Sequence, residues 1–109
     1  MIWTAWNNGS HLRSGGGYGF KIEAADRDRH ISRAWKTVLV DLPGPEQATV
    51  EVNIDKKSFW SSTCREIVSH VIGKWLIANG YAPWRCSTPP KFSVVETARR
   101  HFAVQSLTD

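Results

Sequence analysis

Two runs of strict alternation most constrain what this chain can fold into. Val38, Val40 and Leu42 alternate with Leu39 and Asp41, and Val50, Val52 and Ile54 alternate with Glu51 and Asn53. A period of two sends successive side chains to opposite faces of a strand, so both runs read as strands with one apolar and one wet face. Pro43-Gly44-Pro45-Glu46 lies between them and makes the pair a hairpin with a longish loop. Tyr18, Phe20 and Ile22 alternate with Gly19, Lys21 and Glu23 in the same way. Before them, Ile2 to Trp6 forms a short aromatic strand that ends at the turn formers Asn7-Asn8-Gly9-Ser10. A sheet built from such strands has an apolar face that must be covered.

The cover is expected from the second half of the chain. Cys64, Ile67, Val68, Val71, Ile72, Trp75 and Leu76 recur with the spacing of one stripe on an amphipathic helix. The spacing predicts a helix from Ser62 to Asn79, with Thr63 and Glu66 as a capping box and Gly80 as its stop. Gly73 inside it costs on the order of 1 kcal/mol relative to Ala, which points to close packing against a strand or a tryptophan. Ala24 to Trp35 is compatible with a short helix or a turn. Phe92, Val94 and Val95, then Phe102 and Val104, predict a closing hairpin around Ala98-Arg99-Arg100. The resulting class is α+β: a mostly antiparallel sheet with one long amphipathic helix packed on one face. A chain of 109 residues holds one such core, so residues 1–109 are expected to form a single domain.

Charge and cysteine content narrow the chemistry. Fourteen Lys and Arg against ten Asp and Glu give a formal charge of +4, which permits a polyanionic partner without requiring one. The basic residues fall in separate groups, Arg27, Arg29 and Arg33, then Lys56 and Lys57, then Arg99 and Arg100, with no basic tail. Apolar stretches are broken by charge well short of the roughly 18 residues a membrane span needs. No basic and apolar secretion signal opens the chain, so the expected compartment is the cytoplasm and no membrane partner is expected. Cys64 and Cys86 are too few for a disulfide scaffold and lack the paired spacing of a zinc site. Both read as reduced thiols, Cys64 in the core, and neither a metal nor a cofactor is expected.

Four strings carry possible chemistry. Ser14-Gly15-Gly16-Gly17 could offer backbone N–H groups to a phosphate, but a strand follows it where the known phosphate cradles have a helix, so it reads as a loop closing on a strand. Asp26-Arg27-Asp28-Arg29-His30 packs acids, guanidinium groups and an imidazole together, and His11 and Arg13 lie in another loop. His11, Arg13, Asp28 and His30 are therefore the candidates for acid-base work on a phosphodiester. Against this stands the usual use of alternating charge as a solvated surface. The six tryptophans are the compositional anomaly. Core closure is their ordinary use, and Trp3, Trp6, Trp35 and Trp84 are the candidates for an exposed platform that stacks bases, sugars or a protein groove.

Gly17-Tyr18-Gly19-Phe20-Lys21, Val50-Glu51-Val52-Asn53-Ile54, Ser58-Phe59-Trp60, Ala82-Pro83-Trp84 and Pro89-Pro90-Lys91-Phe92 together resemble a family of small uncharacterised bacterial proteins, some of them carried on mobile elements such as integron gene cassettes. The resemblance covers most of the chain and implies a bacterial, stand-alone protein, with no activity or site residues attached. Two function classes follow from the residues. The first is a small binding or interaction protein for a protein or small ligand, with weak nucleic-acid binding and self-association as further forms of partner. The alternative is a small phosphodiester-acting hydrolase or a nucleic-acid-binding module.

Overall fold

A computed structural model describes residues 1–85 and 87–108, so the expectation for Cys86 lies outside the described residues. The elements are β1 (Ile2–Asn7), β2 (Tyr18–Ile22), α1 (Ala24–His30), β3 (Thr37–Leu42), β4 (Ala48–Asn53), β5 (Glu66–Val68), α2 (His70–Ala78), β6 (Lys91–Ala98) and β7 (His101–Leu107). All seven strands join one sheet in the order β4-β3-β7-β6-β1-β2-β5. Every pairing is antiparallel except β3 with β7, where Val40 lies beside Phe102 in a parallel register. The sheet curls until its two edges, β4 and β5, approach each other without pairing, which makes a nearly closed barrel. The class is α+β, with two short helices in place of one long one.

The alternating runs form strands where expected, because each presents its apolar set to the interior. Val38, Val40 and Leu42 of β3, with Val50 and Val52 of β4, are buried, and Leu39, Glu51 and Asn53 face outward. Inside, aromatic rings form a cluster among the aliphatic side chains. Trp3 meets Phe20 and Phe102 at centroid distances of 5.7 and 5.6 Å, and Trp75 meets Phe92 and Tyr81 at 5.4 and 5.6 Å. These contacts are all tilted, which avoids the face-to-face sandwich that ring charge disfavours.

The expected helix from Ser62 to Asn79 is corrected to a strand followed by a nine-residue helix. Arg65 has φ of 67°, a left-handed conformation that no helix tolerates in its interior. The end of β2 captures this segment instead: Ile22 N–H donates to the Arg65 carbonyl at 3.1 Å, and the Arg65 Nε donates back to the Ile22 carbonyl at 2.8 Å. Gly19 completes the capture, since its missing Cβ leaves room for the Ile67 carbonyl to press against the strand. Thr63 and Glu66 form no capping box; the cap is Ser69, whose Oγ accepts from the Val71 N–H at 3.2 Å. Cys64 lies outside α2 and is half-buried rather than a core residue. Of the rest of the stripe, Ile67 is buried from β5 and Ile72, Trp75 and Leu76 from α2, while Val71 is half-buried and Val68 is exposed; Gly80 leaves the helix at φ of 77°.

The helix contacts β2 on one side of the barrel's gap and β4 on the other, so it closes what the strands leave open. Trp75 reaches across and donates its Nε1–H to the Pro43 carbonyl in the β3–β4 loop at 2.5 Å. The glycine loop is packed against this helix. A Cβ on Gly15 would fall 2.5 Å from the His70 carbonyl oxygen, and one on Gly73 would overlap the Gly15 backbone. Gly73 is thus the site of a close approach, but the expected strand or tryptophan is corrected to the backbone of the loop at Gly15.

Two stability outcomes follow. Trp75→Ala should lower the free energy of unfolding by about 3 to 5 kcal/mol, read as a shift in denaturation midpoint. Gly73→Ala should destabilise by about 1 to 3 kcal/mol through overpacking, although helix propensity alone favours Ala by about 1 kcal/mol. A Gly73→Ala variant as stable as the parent would show that the loop does not hold the helix.

Candidate functional site

The structure gathers charge that is dispersed in the chain. Because β3 and β7 are parallel, and β4 and β6 run antiparallel to them, one end of the barrel collects the start of β3, the end of β4 and the β6–β7 turn. Trp35, Lys36, Arg99 and Arg100 line an open groove of about 630 Å³ there. Arg33, Asp55, Lys56, Lys57 and Trp60 line a second groove of about 280 Å³. The grooves adjoin, since residues 33 to 36 lie between them and the Ile54 N–H donates to the Lys36 carbonyl at 2.9 Å. Six of the fourteen Lys and Arg thus meet around two tryptophans, and Asp55 is the one acid lining either groove among the described residues.

Each ring at this end has a guanidinium over it. Arg99 lies over Trp35 with Cζ 5.9 Å from the ring centroid, and Arg33 lies over Trp60 at 5.0 Å. Both arginines are exposed and both tryptophans half-buried. Attraction between a cation and the ring quadrupole holds such pairs by about 0.5 to 1 kcal/mol when exposed, weakly enough to exchange. The scaffold beneath them is firmer. The Trp60 Nε1–H donates to the Ile54 carbonyl at 2.9 Å. Buried Arg27 of α1 donates from Nη1 to the carbonyls of Phe59 and Ser61 at 2.9 and 2.7 Å, and pins the loop that carries Trp60. At the β6–β7 turn, Arg100 adopts φ of 64° and donates to the Thr37 carbonyl at 3.1 Å and to the Thr37 Oγ1 at 2.9 Å.

The four candidates for acid-base work do not converge. His11, in the β1–β2 loop, accepts or donates at Nδ1 with the Tyr18 hydroxyl at 3.0 Å and meets the ring of Trp84 at 5.2 Å, edge to face. His30 ends α1 and pairs with Glu96 of β6 at 3.1 Å. Thr4 is opposite Lys91 across β1 and β6, so the Asn7 end of β1 and Glu96 lie at opposite ends of the sheet, about 25 Å apart along the strands. Asp28 pairs with the Arg27 Nε at 3.0 Å, and Arg13 lines a separate groove with Glu46 and Lys74. Among the described residues no three His, Cys, Asp or Glu side chains gather as a metal site.

The tryptophan candidates divide. Trp3 is wholly buried in the ring cluster, so it has no face to offer, and the expectation of a platform there is corrected. Trp6 alternates with buried Ala5 and lies on the outer face beside Gly19. Trp84 is half-buried against His11 and Tyr18. Trp35 alone among the four stands in the basic end. Trp60 was not a candidate, although Lys56 and Lys57 just before it and Arg33 across the barrel end surround it with charge; the Lys-Lys-Ser-Phe-Trp string was the signal available.

No family model, curated protein or solved structure matches this chain.

Two ionisable groups set the limits of stability with pH. Asp41 accepts from the Thr49 Oγ1 at 2.5 Å and faces the His101 Nε2 at 2.8 Å, and these contacts, led by the threonine, hold its carboxyl below the usual range. Burial pushes the Tyr18 phenol above its ordinary value. A lowered acid stabilises the fold above its unfolded value, near 3.9, and that contribution is lost as pH falls through the folded value. A raised phenol contributes fully below about pH 10 and loses that contribution as pH rises through its folded value. Denaturation midpoints should therefore fall below about pH 4 and above about pH 10, with Asp41→Asn flattening the acid limb and Tyr18→Phe the alkaline one.

Proposed function

We propose that the protein is a binding module that holds an anionic partner at the basic end of its barrel. The observation that carries this reading is the meeting of Arg33, Lys36, Lys56, Lys57, Arg99 and Arg100 around Trp35 and Trp60. Like charges brought together repel one another, and a surface that gathers them without matching acids gains most from a partner that brings the acids. The supporting turns are held by hydrogen bonds that a merely solvated surface does not need, above all Arg100 on Thr37. A cytoplasmic setting, where phosphate-rich partners are abundant, suits such a surface, and the resemblance to small bacterial proteins is consistent with it. A phosphodiester hydrolase is the weaker reading, because His11 and His30 lie at opposite ends of the sheet.

The test is retention on immobilised heparin under a salt gradient. Reversing Arg33, Lys57 and Arg99 to Glu should bring elution to clearly lower salt. Reversing Arg13, Lys74 and Lys91, all exposed and outside the two grooves, changes net charge equally and should have a smaller effect. Equal losses in the two triple variants would mean that overall charge, and no particular end of the barrel, holds the partner. Exposed substitutions of this kind usually shift stability by no more than about 0.5 kcal/mol, so both variants should fold.

A further inference from the structure

We infer that the anionic partner is a single-stranded nucleic acid whose bases stack on Trp35 and Trp60. The inference rests on the basic-end reading and adds the chemistry of the ligand. Charge alone is satisfied by any polyanion, but the two rings are not explained by charge. Each is half-buried, packed against the core, and has an exposed arginine over it. Trp60 is fixed further by its hydrogen bond to the Ile54 carbonyl and by buried Arg27, whose Cζ lies 5.3 Å from its ring centroid, whereas the Trp35 Nε1–H has no partner among the described residues. A guanidinium is flat, cationic and of the shape that stacks on an indole, so it occupies the place a base would take. When a strand arrives, the guanidinium can turn to a phosphate, where two of its N–H groups find acceptors, and leave the ring face to the base. Arg33 and Arg99 thus hold the two faces while the site is empty and grip the backbone when it is filled.

The geometry favours a single strand over a duplex. A duplex keeps its bases stacked on each other and offers no free ring face, whereas every unpaired base does. Nor does this end present an element that could enter a major groove: the segments that line it are the turn at 32–36, the loop at 55–60 and the two-residue turn between β6 and β7. That last turn does not project as a ribbon, because the Leu39 N–H donates to the Arg100 carbonyl at 2.8 Å and keeps its tip level with β3. An acidic protein surface supplies carboxylates with an aromatic ring beside few of them, whereas every nucleotide carries a phosphate and a ring together. Stacking of this kind is indifferent to which base it receives, so little sequence preference is expected.

The experiment titrates the full chain with a labelled oligothymidylate of about 12 nucleotides, a duplex of the same length and inorganic polyphosphate of matched charge. Anisotropy and intrinsic tryptophan emission are followed together. The single strand should bind more tightly than the other two and should quench emission, while polyphosphate, which can move the arginines but brings no base, should not quench it. Trp35→Ala and Trp60→Ala should each weaken oligothymidylate binding by about 5- to 100-fold and leave polyphosphate binding unaltered. Neutralising four phosphates would make affinity fall about 50-fold between 50 and 200 mM salt, from a slope near −0.7 per phosphate. If Trp60→Ala fails to fold, quenching in the parent protein still decides the matter. Equal binding of strand and polyphosphate without quenching, or preference for duplex, overturns the stacking inference and leaves the basic-end reading intact. No binding by any of the three removes both.

Discussion

The parallel pairing of β3 with β7 is the contact on which the rest of the molecule depends. It is the one junction between the β3–β4 hairpin and the β6–β7 hairpin, and without it the sheet would divide into a two-stranded and a five-stranded piece. Such a division would open the core between Val40 and Phe102, both fully buried. The direction of this pairing also decides what lies at each end. Run antiparallel, β7 would have set the Arg99–Arg100 turn beside Leu42, far from Lys36. Run parallel, it sets that turn beside Thr37, and the Arg100 side chain fastens it there. One register thus completes the core and assembles the basic surface.

That register was not legible in the sequence, whereas the strands were. Alternation is local: Val38, Val40 and Leu42 declare a strand and its buried face to anyone reading six residues, and the structure places those residues inside. Which strand lies beside which is a long-range property, and β3 and β7 are more than sixty residues apart. The segment at 64–68 misled for a related reason. Ile67 fits a helical stripe with Val71 and an alternating strand with equal ease, because short apolar runs satisfy both periods. Its fate was settled by Gly19 and Ile22 on a distant strand, which offered room for a close carbonyl and a hydrogen bond to Arg65.

The candidate site shows the same division. Arg33, Lys56, Lys57, Arg99 and Arg100 were visible as three modest clusters, and only the topology makes them neighbours. Tryptophan identity was equally ambiguous. Trp3 and Trp35 are the same residue type, yet Trp3 occupies the interior-facing set of β1, and Trp35, between Arg33 and Lys36, falls in the turn after α1. Period explains the first. Nothing short of the fold explains the second.

The energetics of the basic end argue that it is kept for something other than stability. Residues with side chains pay a penalty in the left-handed region that glycine avoids, and Arg100 stands there at φ of 64° in a turn where Gly or Asn would be easier. Strain of this kind runs to about 1 to 3 kcal/mol per residue. The hydrogen bonds to Thr37 offset it in part, but a glycine at this turn would need no such compensation. The adjoining cations add repulsion, which salt screens only beyond about 8 Å at physiological strength. A strained arginine beside five other cations is a local cost that an arriving anion would offset, which is the physical sense of the anion-binding surface proposed for this end.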